Sequence, residues 1–235
     1  MQLERILQKH GFGTRKACRS LIRHELVAVN GQISDNPFAE IDTNGLIFTV
    51  DGVDWPYAEF ASLMLHKPSG YECSRKPLHH PSVLSLLPVQ LRERDVQPIG
   101  RLDEDTTGLL LITDDGQLNH VLSSAKRKVP KVYLATTKHP IDQGQIDQLL
   151  TGVLLNDEPE PIAAAACEIA GENLLRLTLT GGKYHQVKRM VAAAGNRVEA
   201  LHRESIGELQ LPDDLKPGEW RWLSAVDMKK LGYLA

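Results

Sequence analysis

GRLDEDTTGLLLITDDG, residues 100–116, sets a short polar loop directly in front of an apolar run. Leu109-Leu110-Leu111-Ile112 has the length and uniform hydrophobicity of a buried strand, and Asp114-Asp115-Gly116 closes it as a turn. Core packing therefore anchors one end of a loop that carries Arg101, Asp103, Glu104 and Asp105. If the loop is extended, Arg101 and Asp103 leave the same face, where the cation favours the ionised acid. A carboxylate held this way can do chemistry, or it can close an ordinary ion pair at a strand end. Spacing alone serves both readings, and it leaves Glu104 and Asp105 as alternative acids.

Outward from this loop the chain reads as a small region followed by a larger one. Residues 1–26 form two short helices separated by Gly11-Phe12-Gly13, with Thr14 placed to cap the second. In that helix Ala17, Cys18, Leu21 and Ile22 make an apolar stripe, and Lys16, Arg19 and Arg23 share another face. Val27-Ala28-Val29 leads into Asn30-Gly31, a strong hairpin signal, and Gln32-Ile33 starts the return strand. Asp51 to Tyr57 closes this region, which gives a domain over 1–60 and a second over 61–235. The second opens with the strand Leu63-Met64-Leu65 and a Lys67-Pro68-Ser69-Gly70 turn. Residues 72–99, with Pro77, Pro81, Pro88 and Pro98, read as loops around one short helix near Val83–Leu87. Helices are expected at 118–123, 141–151 and 185–194, and strands at 132–137, 153–155, 162–169, 174–179, 198–201 and 220–223. Strands far outnumber crossover helices, so the fold class is α+β, with a mostly antiparallel sheet in the larger domain.

Composition narrows the function. No run approaches the ~20 apolar residues of a membrane span, and the first residues lack a secretion-signal pattern, so a cytoplasmic protein away from membranes is expected. The 3 cysteines are far apart and odd in number, which points to neither a disulfide framework nor a zinc site. Nine histidines show no His-Glu-x-x-His spacing, so no metal and no cofactor is expected. The net charge of −3 argues against a nucleic-acid partner, but it hides segregation. Basic residues crowd into Met1–Leu26 (Arg5, Lys9, Arg15, Lys16, Arg19, Arg23), Lys126–Lys138 and Lys183–Arg203, and acids gather in 35–59 and 142–172. Such a pattern gives a bipolar surface whose positive side can follow a phosphate backbone, or a set of solvated helix faces.

Four ordered segments decide between these readings. GRLD with TTGLLLITDDG resembles the catalytic motif of the pseudouridine synthases, specifically the RsuA branch that acts on bacterial ribosomal RNA. The N-terminal helices and hairpin are similar to an S4 RNA-binding domain. KVYLAT (131–136) and GGKYHQVKRMVAAAGNRV (181–198) follow in the order that branch uses. The resemblance covers most of the chain. The short length without an extended basic tail is most similar to the member that modifies small-subunit (16S) RNA.

The resemblance implies isomerisation of one uridine to pseudouridine, with Asp103 as nucleophile, the acid immediately after Arg-Leu. Asp105 then holds the loop through backbone N–H groups. Tyr133 implies an aromatic surface for a flipped base, where a strand tyrosine would otherwise read as core filler. Lys188 aligns with the basic partner of the nucleophile; many related synthases carry arginine there, whose bidentate fork a lysine lacks. His185 and Gln186 are placed either to touch the base edge or to cap the helix. Arg5, Arg15, Lys16, Arg19 and Arg23 imply RNA capture by the S4-like domain, and Arg101, Lys131, Lys183, Arg189 and Arg203 an electrostatic track around the pocket. The expected partner is ribosomal RNA or a subunit assembly intermediate, met by a monomer. Large-subunit (23S) or transfer RNA is an alternative substrate, and a catalytically silent assembly factor an alternative function. Asp105-Thr106-Thr107-Gly108 also resembles an aspartic-protease turn, but the extra threonine and the lack of a second copy argue against it.

Overall fold

A computed structural model describes residues 1–233. The chain divides into two compact units, Met1–Ala61 with Leu87–Gln97, and Ser62–Leu86 with Pro98 onward.

The first unit begins with helices α1 (Leu3–Lys9) and α2 (Arg15–Arg23) and continues into strands β1 (Val27–Val29), β2 (Gln32–Ile33), β3 (Ile47–Val50) and β4 (Val53–Pro56). The strands form an antiparallel sheet in the order β2-β1-β3-β4. Local chemistry sets the boundaries. The Thr14 hydroxyl accepts the Ala17 N–H at 3.3 Å, and Asn30 and Gly31 both take positive φ, 51° and 78°, as a two-residue hairpin turn needs. Leu3, Ile6, Leu7, Cys18, Ile22 and Phe48 are fully buried. His10 is buried with them and is fixed as one neutral tautomer. Its Nε2 accepts the Ala58 N–H at 3.0 Å, so Nδ1 carries the proton and donates to the Ile6 carbonyl at 2.8 Å. Burial holds its pKa down at about 4.

Helix α3 (Val89–Glu93) lies in Leu87–Gln97, a segment that belongs to the first unit rather than to 61–235. Gly11 explains the placement: a Cβ there would sit 2.0 Å from the Gln90 carbonyl oxygen. Arg94 adds hydrogen bonds to the carbonyls of Ala58 (3.2 Å) and Glu59 (3.1 Å).

The second unit is a sheet with flanking helices. Its strands are β5 (Ser62–Lys67), β6 (Gln97–Ile99), β7 (Thr107–Thr113), β8 (Lys131–Thr137), β9 (Ala166–Gly171), β10 (Leu174–Leu179), β11 (Val198–Ile206), β12 (Leu209–Gln210) and β13 (Trp220–Trp222). The order is β13-β5-β7-β11-β8-β10-β9, with β12 on β11 and β6 on β7. β7 and β11 run parallel, and the other pairs along that path are antiparallel, so the fold is mixed α and β with a mostly antiparallel sheet. The helices are α4 (Gly116–Ser123), α5 (Gln143–Thr151), α6 (Gln186–Ala193) and α7 (Ala225–Lys230).

β7 is buried from Gly108 to Thr113, as a central strand should be. Leu109 and Leu111 pack with Met64, Leu118, Leu122 and Ile206, and the Asp115 carboxylate caps α4 through the N–H groups of Gln117 (2.8 Å) and Leu118 (3.2 Å). Three strand expectations change: the strand expected at 162–169 runs instead from Ala166 to Gly171 as β9. The strand at 153–155 reduces to a bridge between Val153 and Ile162. β11 continues past Leu201 to Ile206, because irregularities at Val198/Ala200 and Arg203/Ser205 interrupt its alternation. Gly108 permits the β7–β11 approach: its φ is 107°, and a Cβ would lie 2.3 Å from the Arg203 carbonyl oxygen.

Candidate active site

The loop from Gly100 to Thr106 joins β6 to β7 and is anchored from beneath by Lys67. This residue ends β5 opposite Gly108, and no part of it is exposed. Its ammonium donates to the carbonyls of Pro68 (3.0 Å), Glu104 (2.9 Å) and Thr106 (2.8 Å), which uses all three protons. The Gly70 N–H also reaches the Glu104 carbonyl at 2.9 Å, and the Thr106 N–H turns back to the Asp103 carbonyl at 3.1 Å. The loop backbone is therefore held on both sides of Asp105.

Asp103 meets two basic side chains, a histidine and a lysine, neither of which is Arg101. His185 Nε2 lies 3.2 Å from Asp103 Oδ1 and Lys188 Nζ 3.3 Å from Oδ2. The expected Arg101–Asp103 pairing gives way to partners about 80 residues on in sequence, at the start of α6, because the loop is irregular rather than extended, which undoes the shared-face argument. Lys188 is nearer to Asp105, at 2.7 and 2.8 Å from its two oxygens. Asp105 thus binds the site's lysine through its side chain and is more than a backbone anchor. Burial opposes ionisation of Asp105, but the Lys188 ammonium outweighs it and holds the carboxyl below its usual range. Burial likewise disfavours the Lys188 charge, and the Asp105 and Asp103 carboxylates reverse that and raise its pKa.

Both partners of Asp103 arrive on the start of α6. His185 takes a left-handed conformation (φ 47°, ψ 35°) at the N-cap, and the Gln186 side chain accepts the Lys183 N–H at 2.9 Å. Gln186 thus fastens the turn before the helix, no side chain among the described residues caps α6, and His185 faces the carboxylate. Tyr184 stacks on the His185 ring at 3.8 Å and 20°.

Tyr133 on β8 lies in register with Arg203 on β11. It lines two adjoining clefts together with Asp103. The smaller, about 80 Å³, also has Lys188 and Leu201 on its wall. The larger, about 460 Å³, extends to Lys131 and Arg203. A third, about 720 Å³, leads from Asp103 past Arg101 to His79 and His80. Its wall is built by Glu72, whose carboxylate accepts the N–H groups of Leu78 (3.0 Å), His79 (2.8 Å) and His80 (2.9 Å). These bonds, those of His79 first, hold the Glu72 pKa down at about 2.

The expected basic track is rearranged. Arg101 is exposed at the clefts and Lys131 is half-buried in the larger one. Lys183 is paired with Glu158 and Arg189 with Asp157, so an acidic turn takes two of the cations expected to ring the helix start. Arg203 is no surface residue: it is 2% exposed, donates from Nε to the Leu109 carbonyl at 2.8 Å, and holds its guanidinium 6.0 Å from the Tyr133 ring centre. In the first unit Arg5, Arg15, Lys16 and Arg23 are exposed, but Arg19 is tied to the buried Glu4 and lies 5.0 Å over the Phe38 ring. The sequence reading gave Lys67 and His185 no part in holding the acid. A lysine ending an otherwise apolar strand, SLMLHK, was the one local signal for the former.

A carboxylate held between a histidine and a lysine beside a buried aromatic ring suits covalent chemistry on a planar base. Comparison with known proteins agrees. The RNA pseudouridylate synthase family matches residues 61–193. The ribosomal small subunit pseudouridine synthase A of Pasteurella multocida is 36% identical over 229 residues, covering 97% of this chain and 98% of that one. Its namesake from Yersinia pestis is 44% identical over 169 residues, 72% of each chain. An uncharacterized RNA pseudouridine synthase of Bacillus subtilis is 37% identical over 235 residues, 98% of each. A crystal structure of a pseudouridylate synthase aligns with a TM-score of 0.70 at 34% identity, over 98% of this chain and 99% of that one. With a family match over more than half its length and full-length relatives of this similarity, the chain belongs to the RNA pseudouridylate synthase family.

Proposed function

We propose that this protein converts one uridine of small-subunit ribosomal RNA to pseudouridine, with Asp103 as nucleophile. The observation that carries the reading is the Asp103 carboxylate at the junction of the clefts, with His185 and Lys188 on its two oxygens at 3.2 and 3.3 Å and Tyr133 on the same walls. In the reaction the bond from ribose C1′ to N1 breaks and the bond from C1′ to C5 forms. The C5 proton leaves and N1 gains one, so no redox partner or donor group is needed. Lys67 holds the loop that aims Asp103, and His185 and Lys188 fix its carboxylate. Tyr133 gives the detached base a face to stack on, and the 80 Å³ cleft limits its escape. The names of the Pasteurella and Yersinia relatives support the small subunit as the source of the RNA.

The N-terminal region, residues 1–60, acts in this reading as an S4-like RNA-binding domain. Its support is the two-helix and hairpin order and the exposed Arg5, Arg15, Lys16 and Arg23. The enzyme works as a monomer in the cytoplasm, on ribosomal RNA or an assembling subunit.

The test incubates wild-type protein and Asp103→Asn with unmodified small- and large-subunit RNA and maps pseudouridine by carbodiimide primer extension. One modified uridine in small-subunit RNA with wild type, and none with the variant, is expected. Modification confined to large-subunit RNA overturns the substrate, and modification by Asp103→Asn overturns the nucleophile. RNA binding without modification by either protein favours an assembly factor.

A further inference from the structure

We propose that Lys131 and Arg203 build an anion subsite at the inner end of the 460 Å³ cleft, and that this subsite takes a phosphodiester of the RNA strand beside the reacting uridine. The proposal rests on the pseudouridine synthase reading and gives it a specific internal contact.

The inner walls of this cleft are apolar, formed by Ile99, Leu111, Leu122 and Ile206, and Asp103 is the only carboxylate among its lining residues. Lys131 directs one donor to the Val129 carbonyl at 3.1 Å, which leaves two protons for other acceptors. Arg203 is held rigid by its Nε bond to Leu109 and by the backbone wedged against Gly108. Its Nη2 is buried and finds no acceptor among the described residues. A guanidinium nitrogen so placed is costly in a folded chain unless something binds it. Burial, and then the nearby Arg203 charge, pull the Lys131 ammonium below its usual range. Two like charges have thus been brought together in a partly apolar cleft whose one lining acid, Asp103, is already held by His185 and Lys188.

These features select the ligand. A neutral base carbonyl can accept one of these hydrogen bonds, but it does nothing for the repulsion between the two cations. A phosphodiester brings one negative charge and two free oxygens, one for each cation, in charge-assisted bonds. The cleft shares Asp103 and Tyr133 with the 80 Å³ cleft. A strand that delivers its uridine to the smaller cleft therefore passes the larger one.

The test uses a short RNA that the wild-type protein retains, prepared as a series with a single neutral methylphosphonate at each phosphate in turn. Affinity is measured for wild type, Lys131→Gln and Arg203→Lys. One methylphosphonate position should weaken wild-type binding about 10-fold, the scale of a lost charge-assisted bond. The same position should have almost no effect in Lys131→Gln, whose salt slope should fall by about 0.7. Arg203→Lys should keep part of the effect; should it fail to fold, the half-exposed Lys131 variant carries the test. Equal effects in wild type and Lys131→Gln at every position overturn the proposal. So does inorganic phosphate binding that Lys131→Gln abolishes while every methylphosphonate RNA binds normally, since the site then serves a free anion. Coupling without pseudouridine formation on any ribosomal RNA keeps the subsite and removes the parent reading. Pseudouridine formation without coupling removes the subsite alone.

Discussion

The two units bury polar groups on opposite terms. In the first, each buried polar side chain is closed by its neighbours. His10 is neutral and bonded at both ring nitrogens, and Glu4 is matched by Arg19. In the second, cations are buried under and beside the loop that carries the acids. Lys67 spends two of its three protons on that loop's carbonyls and the third on Pro68, and Arg203 retains a nitrogen with no acceptor among the described residues. Closed polar groups hold a scaffold; cations tied to a loop or left open mark where the fold is arranged for something other than its own stability.

The sharpest way to break this comparison is Lys67→Met. The side chain is matched in length, but three carbonyls lose the ammonium, two of them in the Asp103 loop, and among the described residues only Glu104 keeps another donor, the Gly70 N–H. A stability loss of about 3 kcal/mol is expected from the orphaned acceptors. Single-turnover pseudouridine formation should fall about 100-fold, because a displacement of order 1 Å is enough to misalign a nucleophile. RNA affinity should stay within about 2-fold if the basic surfaces are untouched. Loss of stability with unchanged turnover would make Lys67 a scaffold group like His10, and the distinction between the units would fail.

The parts of the molecule that were legible in the sequence are those fixed by local chemistry. The Thr14 cap, the Asn30-Gly31 turn, the buried strand at 109–112 and the α6 segment depend on residues within a few positions of one another. Asp103 was legible because its loop precedes that strand. The partners of the loop were not. Lys67 reaches carbonyls 37 and 39 residues away, and Arg203 reaches Leu109 across 94; both depend on strand register, which no local pattern specifies. The same holds for Lys183 and Arg189. Their charge was read correctly, but the Asp157-Glu158 turn that takes them lies far away in sequence. The count of cations was visible, and which of them remain free was not.

His10 offers a sharper measure of the first unit. Its folded pKa is about 4 against an unfolded value of 6.5. Between these the unfolded chain binds a proton that the folded chain refuses, so stability falls as pH drops from about 6.5 to about 4, and this contribution levels off below that. The shift corresponds to about 3 kcal/mol. Urea midpoints followed through Trp55, with Trp220 and Trp222 replaced by phenylalanine, should show the slope. His10→Gln, whose amide can accept from Ala58 and donate to Ile6 but does not titrate in this range, should flatten it. A slope that persists in His10→Gln would assign the acid sensitivity to another group and leave the closed-interior account of this unit without its main support.

The smallest effect tests how the acids share Lys188. Its ammonium is about half an ångström closer to Asp105 than to Asp103, so under the proposed function Asp105 restrains the cation and Asp103 uses it. Lys188→Ala should lower kcat about 10-fold, the scale of one charge-assisted contact to Asp103. Asp105→Asn should lower it about 3-fold, because the cation remains but loses its tether. If the tether acts only through Lys188, the double variant should be no slower than Lys188→Ala alone, a non-additive cycle. Additive losses would mean that Asp105 contributes independently. The loop would then hold two working carboxylates, and the division between a nucleophile and its positioning residue would have to be redrawn.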